Sequence, residues 1–414
     1  MMRYITGYVT ICVLLIFFAT TGAFANEAGN LSTDDIINNA ERMIEEKQYY
    51  SAFKLLNDSP NGTENLEIAL KKVETALNYH VSSIKHETFG FKDLDPDEDL
   101  MDLRGKEGIY STFRFPIGQV LGDLLLKYPE EWRIHKALGD YYYEVFQRFR
   151  GKWIKSDEEL LLLADNHYRI AMEHEIYDLK SLYFLGLIQL FQKNYQEAVP
   201  LLKRAVEIGT SVHPLYATAN YNLAYACLHQ QRFDEGLESA LTSYDLYQQN
   251  QDKADAARMV GIIYRQLGEG AKAIQYYLVA DQLVPNNYYS LLPLLQLYLE
   301  DAELTKADEI AERLMGLGPS APGLLNDIMT SYGRNGYSLE FIDFCQRMGA
   351  EYAEDQEVMG NIHFHIGFCY YVLGDYEKCR NHLVTAKTHY NRCYPASHEV
   401  FSVISDYLSH IESL

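Results

Sequence analysis

Seven times between Leu138 and Tyr370 the chain repeats one pattern: an apolar residue, a usually small residue beside it, and a mostly aromatic or apolar residue three further on. The copies are Leu138-Gly139…Tyr142, Leu185-Gly186…Gln189, Leu223-Ala224…Cys227, Val260-Gly261…Tyr264, Leu294-Leu295…Tyr298, Ile328-Met329…Tyr332 and Ile366-Gly367…Tyr370. Twelve residues after the second member stands Ala198, Gly236, Ala273, Ala307 or Cys379, with Phe341 as the bulky exception. A unit of this size cannot bury its apolar face alone, so copies must stack on one another. The chain is therefore expected to grow by adding units, which reconciles 414 residues with the absence of one large core.

Each unit reads as two helices. In Ser181–Ile208 the apolar residues Leu182, Leu185 and Leu187–Leu190 form one, Lys193-Asn194 the turn, and Ala198, Leu202 and Ala205 the face of the second. Small residues at Gly186 and Ala198 are expected where the two backbones cross. Pro285 and Pro319 stop second helices, because proline lacks the amide proton that would extend them. On these residues, from about 131 to 391, the chain resembles tetratricopeptide repeats, whose period is about 34 residues. The steps Gly261–Leu295–Met329 keep 34, whereas others are 37 or 38. The resemblance implies an all-α, right-handed superhelical solenoid of antiparallel helix pairs, of about eight units. It also implies binding rather than catalysis.

Outside the regular array the divisions are coarser. Residues 1–25 read as a signal peptide: Arg3, then the apolar run Val9–Ala19, then Ala23-Phe24-Ala25 before Asn26. This implies a periplasmic or secreted protein, with a membrane tether by an uncleaved signal as the alternative. Residues 26–85 hold divergent helical repeats, with Ala40, Met43, Ala52 and Leu56 matching the pattern once more. Residues 86–115, with Gly90, Pro96, Gly105 and Gly108 around an acidic run, read as an irregular acidic insert, a long loop or lid. The array follows over 116–395, with about 13 residues inserted near Arg148–Glu159, and a capping helix fills 396–414. Phe341 makes 325–348 the least regular unit.

The formal net charge of -22 excludes nucleic acid and anionic lipid headgroups as partners, since the field repels phosphates. Beyond the signal lie five cysteines: Cys227, Cys345, Cys369, Cys379 and Cys393. Disulfides and buried thiols both fit their spacing.

Catalytic signatures are missing. There is no Gly-x-Ser-x-Gly elbow, no phosphate loop and no His-Glu-x-x-His, so no enzyme is expected and no cofactor is called for. The run Asp93–Asp99 lacks the glycine and glutamate of a calcium loop, having Glu98 and Arg104 at those positions, and reads as a solvated loop. His363, His365, Cys369, Cys379 and His382 have helical spacing, but no metal fingerprint, and no metal is assigned.

Candidate binding residues follow from the resemblance, which places the groove of such arrays on the first helix of each unit. The positions taken from it are Tyr143, Tyr183, Tyr221, Tyr225, Arg258, Arg265, Asn326, Arg334, Phe364, Phe368 and Tyr371. Aromatic rings on such a face favour recognition, and the arginines favour an acidic partner. The expected partner is a protein or extended peptide, within an envelope assembly or secretion complex. A glycan of a polysaccharide-export system is the alternative.

Overall fold

The computed structural model describes residues 31–60, 62–84 and 87–413; the leader expected over 1–25 lies outside them. Among the described residues 72% are helical, in 20 helices of repeated arrangement. Two compact units divide the chain at Gly209–Thr210.

Unit 1 opens with the pair α1 (Thr33–Glu45) and α2 (Tyr49–Asp58), then α3 (Leu66–Tyr79). Strands β1 (Ser82–Ile84) and β2 (Thr88–Phe91), the short α4 (Leu100–Leu103) and β3 (Ser111–Arg114) come next. The unit closes with α5 (Ile117–Lys127) and the pairs α6 (Trp132–Phe149) with α7 (Asp157–Glu173) and α8 (Leu179–Phe191) with α9 (Tyr195–Ile208). Unit 2 contains α10 (Tyr216–His229) with α11 (Phe233–Leu246), α12 (Asn250–Gln266) with α13 (Gly270–Leu283), and α14 (Tyr288–Glu300) with α15 (Leu304–Met315). It ends with α16 (Pro322–Arg334) with α17 (Ser338–Glu351), α18 (Gln356–Val372) with α19 (Tyr376–Tyr390), and the terminal α20 (Glu399–Glu412).

The repeated triplet ends its helix the same way in six of the seven copies. The carbonyl of the third member accepts an amide five residues on: Asn194 to Gln189 at 2.8 Å, Arg232 to Cys227 at 2.9 Å, Glu269 to Tyr264 at 2.9 Å. Glu303 to Tyr298, Tyr337 to Tyr332 and Asp375 to Tyr370 repeat it, and Gln48 to Met43 extends it to α1. The residue before each donor has positive φ: Lys47, Lys193, Gln231, Gly268, Ala302, Gly336 and Gly374. This is the left-handed cap that satisfies the last helical carbonyls.

Close approach explains the glycines of the triplet. A Cβ on Gly186 would stand 2.7 Å from the Leu202 side chain, and one on Gly261 would stand 3.1 Å from the Tyr277 ring. The large residue seated on the glycine is sixteen residues on, and the residue at twelve also lies at the crossing: a Cβ on Gly367 would stand 3.4 Å from the Cys379 carbonyl oxygen, and one on Gly236 3.4 Å from that of Ala224. Where Phe341 replaces the small residue, α16 and α17 approach least closely of the helix pairs, because the buried ring occupies the space between them.

The segment 86–115, read as an irregular loop, carries secondary structure. The three strands form an antiparallel sheet in the order β1-β2-β3, with Phe89 opposite Phe113 and Phe91 opposite Ser111. Its hydrophobic content explains this: Phe91 stacks on Phe53 of α2 at 4.3 Å, and Phe113 and Phe115 surround the same ring. The acidic run is fastened to the chain. Asp93 accepts from the Ser51 amide and hydroxyl, Glu98 pairs with Lys92, and Asp99 caps α4. Lys47 donates to the carbonyls of Pro96 and Glu98. In the chain the sheet lies between α3 and α5.

Candidate functional site

In unit 2, the first helices α10, α12 and α14 face a groove of about 410 Å³ lined by Tyr221, Arg258, Ile262, Tyr288, Tyr289 and Leu292. The array puts these residues together because each occupies the first helix of successive pairs. Arg258 is the polar centre. Only 7% of it is exposed, and it donates to Ser290 Oγ at 3.3 Å and pairs with Asp255 one turn earlier. Burial lowers its pKa, an effect that Tyr221 partly offsets. Tyr288 donates to Asp327 Oδ2 at 2.8 Å, and burial with that carboxylate raises its phenol to about 12. Tyr289 is 72% exposed beside it, edge-on to Tyr288 at 5.4 Å.

Among the other expected groove residues the structure separates three groups. Tyr225 is exposed on α10, with its ring against His229 at 4.5 Å. Arg265 donates to Gln296 at 2.7 Å and to Glu300 at 2.6 Å, so a neighbouring unit already balances its charge. Asn326 and Arg334 are exposed on α16.

Tyr143 and Tyr183, in unit 1, are buried, at 1% and 5% exposure. Tyr143 stacks on Phe184 at 4.2 Å, accepts from Gln147 at 2.7 Å, and is raised to about 12 by burial. Tyr143 fills the packing of α6 against α8 through Phe184, and neither ring presents an open surface. Phe364, Phe368 and Tyr371 are half-buried beneath α20, whose Tyr407 ring lies 6.5, 6.0 and 5.3 Å away. The chain's own terminal helix covers that end of the first-helix face.

The histidine and cysteine positions do not converge on one centre. His365 is held by the Asn361 carbonyl at 2.7 Å, while His363 meets His382 with Nδ1 atoms 3.0 Å apart and stacks on His389. Cys227, Cys345, Cys369 and Cys379 are buried, and Cys393 is exposed. Burial raises the Cys369 thiol to about 12. No cluster of three metal-binding side chains occurs among the described residues.

Sequence reasoning passed over Tyr288, Tyr289 and Asp255. The signal was present in the Tyr288-Tyr289 pair that opens α14 and in an aspartate one turn before Arg258, but these fall outside the positions carried over from the family.

Stacked antiparallel helix pairs with a small residue at each crossing define a helical-repeat protein. The family model for the tetratricopeptide repeat matches residues 183–251, and with the repeated geometry this makes the chain a tetratricopeptide-repeat protein. No curated protein matches it significantly. Among solved structures it is similar to a tetratricopeptide-repeat protein of Parabacteroides merdae, with 18% identity over 66% of this chain and 99% of that one, at a TM-score of 0.40. The C-terminal part of a repeat protein of Cytophaga hutchinsonii gives 12% identity over 64% and 98%, at a TM-score of 0.42. YrrB, described as a repeat protein with an unusual peptide-binding site, gives 14% over 46% and 95%, at 0.35. Among the described residues no helix is long and apolar enough to cross a membrane.

Proposed function

We propose that this protein is an exported, non-enzymatic scaffold that holds an acidic extended peptide in the groove of unit 2. One observation carries the reading. A buried arginine sits at the floor of an open groove whose walls are tyrosine and aliphatic surface, with an exposed Tyr289 at its edge. Asp255 satisfies one side of the guanidinium, whose five donors leave capacity for a carboxylate approaching from the groove. Tyrosine supplies stiff, amphipathic contact area at small entropic cost, which suits an extended chain. Export rests on the leader pattern of residues 1–25, and a place in an envelope assembly is part of the same proposal.

The test is display of acidic, neutral and basic peptides to the full chain. Acidic sequences should be enriched, with affinity falling as salt rises. Tyr289→Ala should weaken binding by about tenfold, in keeping with loss of an interfacial aromatic, without changing Tm. Enrichment that ignores peptide charge, or affinity indifferent to salt and to Tyr289, would remove the acidic-peptide reading and turn attention to neutral glycans.

A further inference from the structure

Unit 1 contains a cavity of about 850 Å³ that the peptide groove does not involve, bounded by α2, α3, the end of β3 and α5. On its wall stands Lys72. Along α3 the buried stripe runs Ile68, Ala69, Lys72, Val73 and Ala76, so a lysine occupies a position where helical periodicity asks for an apolar residue. Lys72 is 4% exposed. Its ammonium lies 4.3 Å from the Phe115 ring centroid and 5.5 Å from that of Phe53.

An ammonium carries three protons. Lys72 donates one to Asn57 Oδ1 at 2.9 Å, and no carboxylate among the described residues comes within ion-pair distance of it. The nearest influence is Asp58, which Lys54 already engages. Cation–π contact lowers the cost of holding this charge away from water but does not neutralise it. Burial accordingly pulls the Lys72 pKa down to about 8.

We propose that this cavity is a binding site for a small carboxylate ligand, whose charged group supplies the counter-ion that Lys72 lacks. The polar wall residues Asn57, Thr63 and Gln119 would take hydrogen bonds from the remainder of such a molecule. A singly charged group is favoured over phosphate, because one buried cation balances one negative charge and Glu64 and Asp123 line the same wall. Arg114 and Lys127 add positive potential at the cavity, although Glu87 pairs with the first and the Glu64 carbonyl accepts from the second.

Limited acetylation of the full chain by an amine-reactive ester, read at each lysine by peptide mass spectrometry, tests the site with propionate, propionamide and inorganic phosphate as probes. Propionate at about four times its Kd should slow acetylation of Lys72 about fivefold by mass action, leaving the exposed Lys152 unchanged. Propionamide and phosphate should protect neither. Thermal unfolding provides the second readout: propionate should raise Tm of the parent but not of Lys72→Met, which completes an apolar stripe and should fold. Protection of Lys72 and Lys152 alike, equal protection by phosphate, or an equal Tm rise in Lys72→Met would each overturn the proposal. So would a parent that gains neither protection nor Tm from propionate.

Discussion

Residue identity at the left-handed turn is uneven among repeats that share one geometry. Gly268, Gly336 and Gly374 occupy it without steric cost, whereas Lys47, Lys193, Gln231 and Ala302 hold the same positive φ with a Cβ. The left-handed region costs an L-residue about 1–2 kcal/mol, partly offset because glycine loses more entropy on folding. Ala302→Gly should therefore stabilise unit 2 by about 0.5–1 kcal/mol, read as a higher urea midpoint at unchanged slope. An unchanged midpoint would mean the turn bears no strain. The opposite sign is expected at Gly139, where an added Cβ would lie 2.5 Å from the buried Tyr168 ring, whose hydroxyl is tied to Asp140 at 2.8 Å. Gly139→Ala should cost about 1–3 kcal/mol through overpacking, and a neutral result would show that Tyr168 can move aside. The small residue of each triplet was legible in the sequence. So was the second small residue twelve on, whose backbone meets the first in the Gly367 and Gly236 units, but not the large residue at sixteen that fills the gap, because the spacing marks only the small members.

At the level of elements, strong helical period made the pairs readable, including the terminal helix α20 and the loosened pair around Phe341. The sheet formed over 82–114 escaped because its strands are only three or four residues long, too short for alternation to stand out from a loop. What orders them is tertiary: Phe89 and Phe91 are buried, and Phe91 is stacked on Phe53. Phe91→Ala should lower the stability of unit 1 by about 3–5 kcal/mol, the usual cost of emptying a buried phenylalanine site. Hydrogen exchange would then show faster exchange in β2 and β3 ahead of α6 and α7, whereas uniform acceleration would mean the sheet is no separate weak point. The groove was half legible for a related reason. Helix position tells which residues face the first-helix side, but not which of them the next unit or α20 covers. Tyr143 and Phe368 thus satisfy the pattern while serving the packing.

At the scale of the whole molecule, the histidines set a response to acid that composition alone does not reveal. Burial lowers the pKa of His80, His167, His363, His365, His382 and His389 from the ordinary 6.5, and His135 moves the same way. His80 reaches about 3 and His167 and His363 about 4, with nearby Arg148 and Arg104 adding to the effect at His80 and neighbouring histidines at the other two. His80 is fully buried, its Nδ1 against the Ala76 carbonyl at 2.8 Å and its Nε2 without a partner. In each case the unfolded chain binds a proton at a pH where the folded chain does not. Stability is therefore complete above about pH 6.5 and is lost as pH falls through the window down to about 3–4. A group shifted this far removes about 2 kcal/mol by pH 5, where ordinary carboxylates still remain ionised. The urea midpoint should thus fall clearly between pH 7 and pH 5, and His80→Leu should flatten that fall in unit 1 without abolishing it in unit 2. Local probes distinguish the units: tryptophan fluorescence reports unit 1 alone, since Trp132 and Trp153 both lie there. A tryptophan-detected midpoint that is the same at pH 5 and pH 7 would show that the buried imidazoles gain protons without opening the fold.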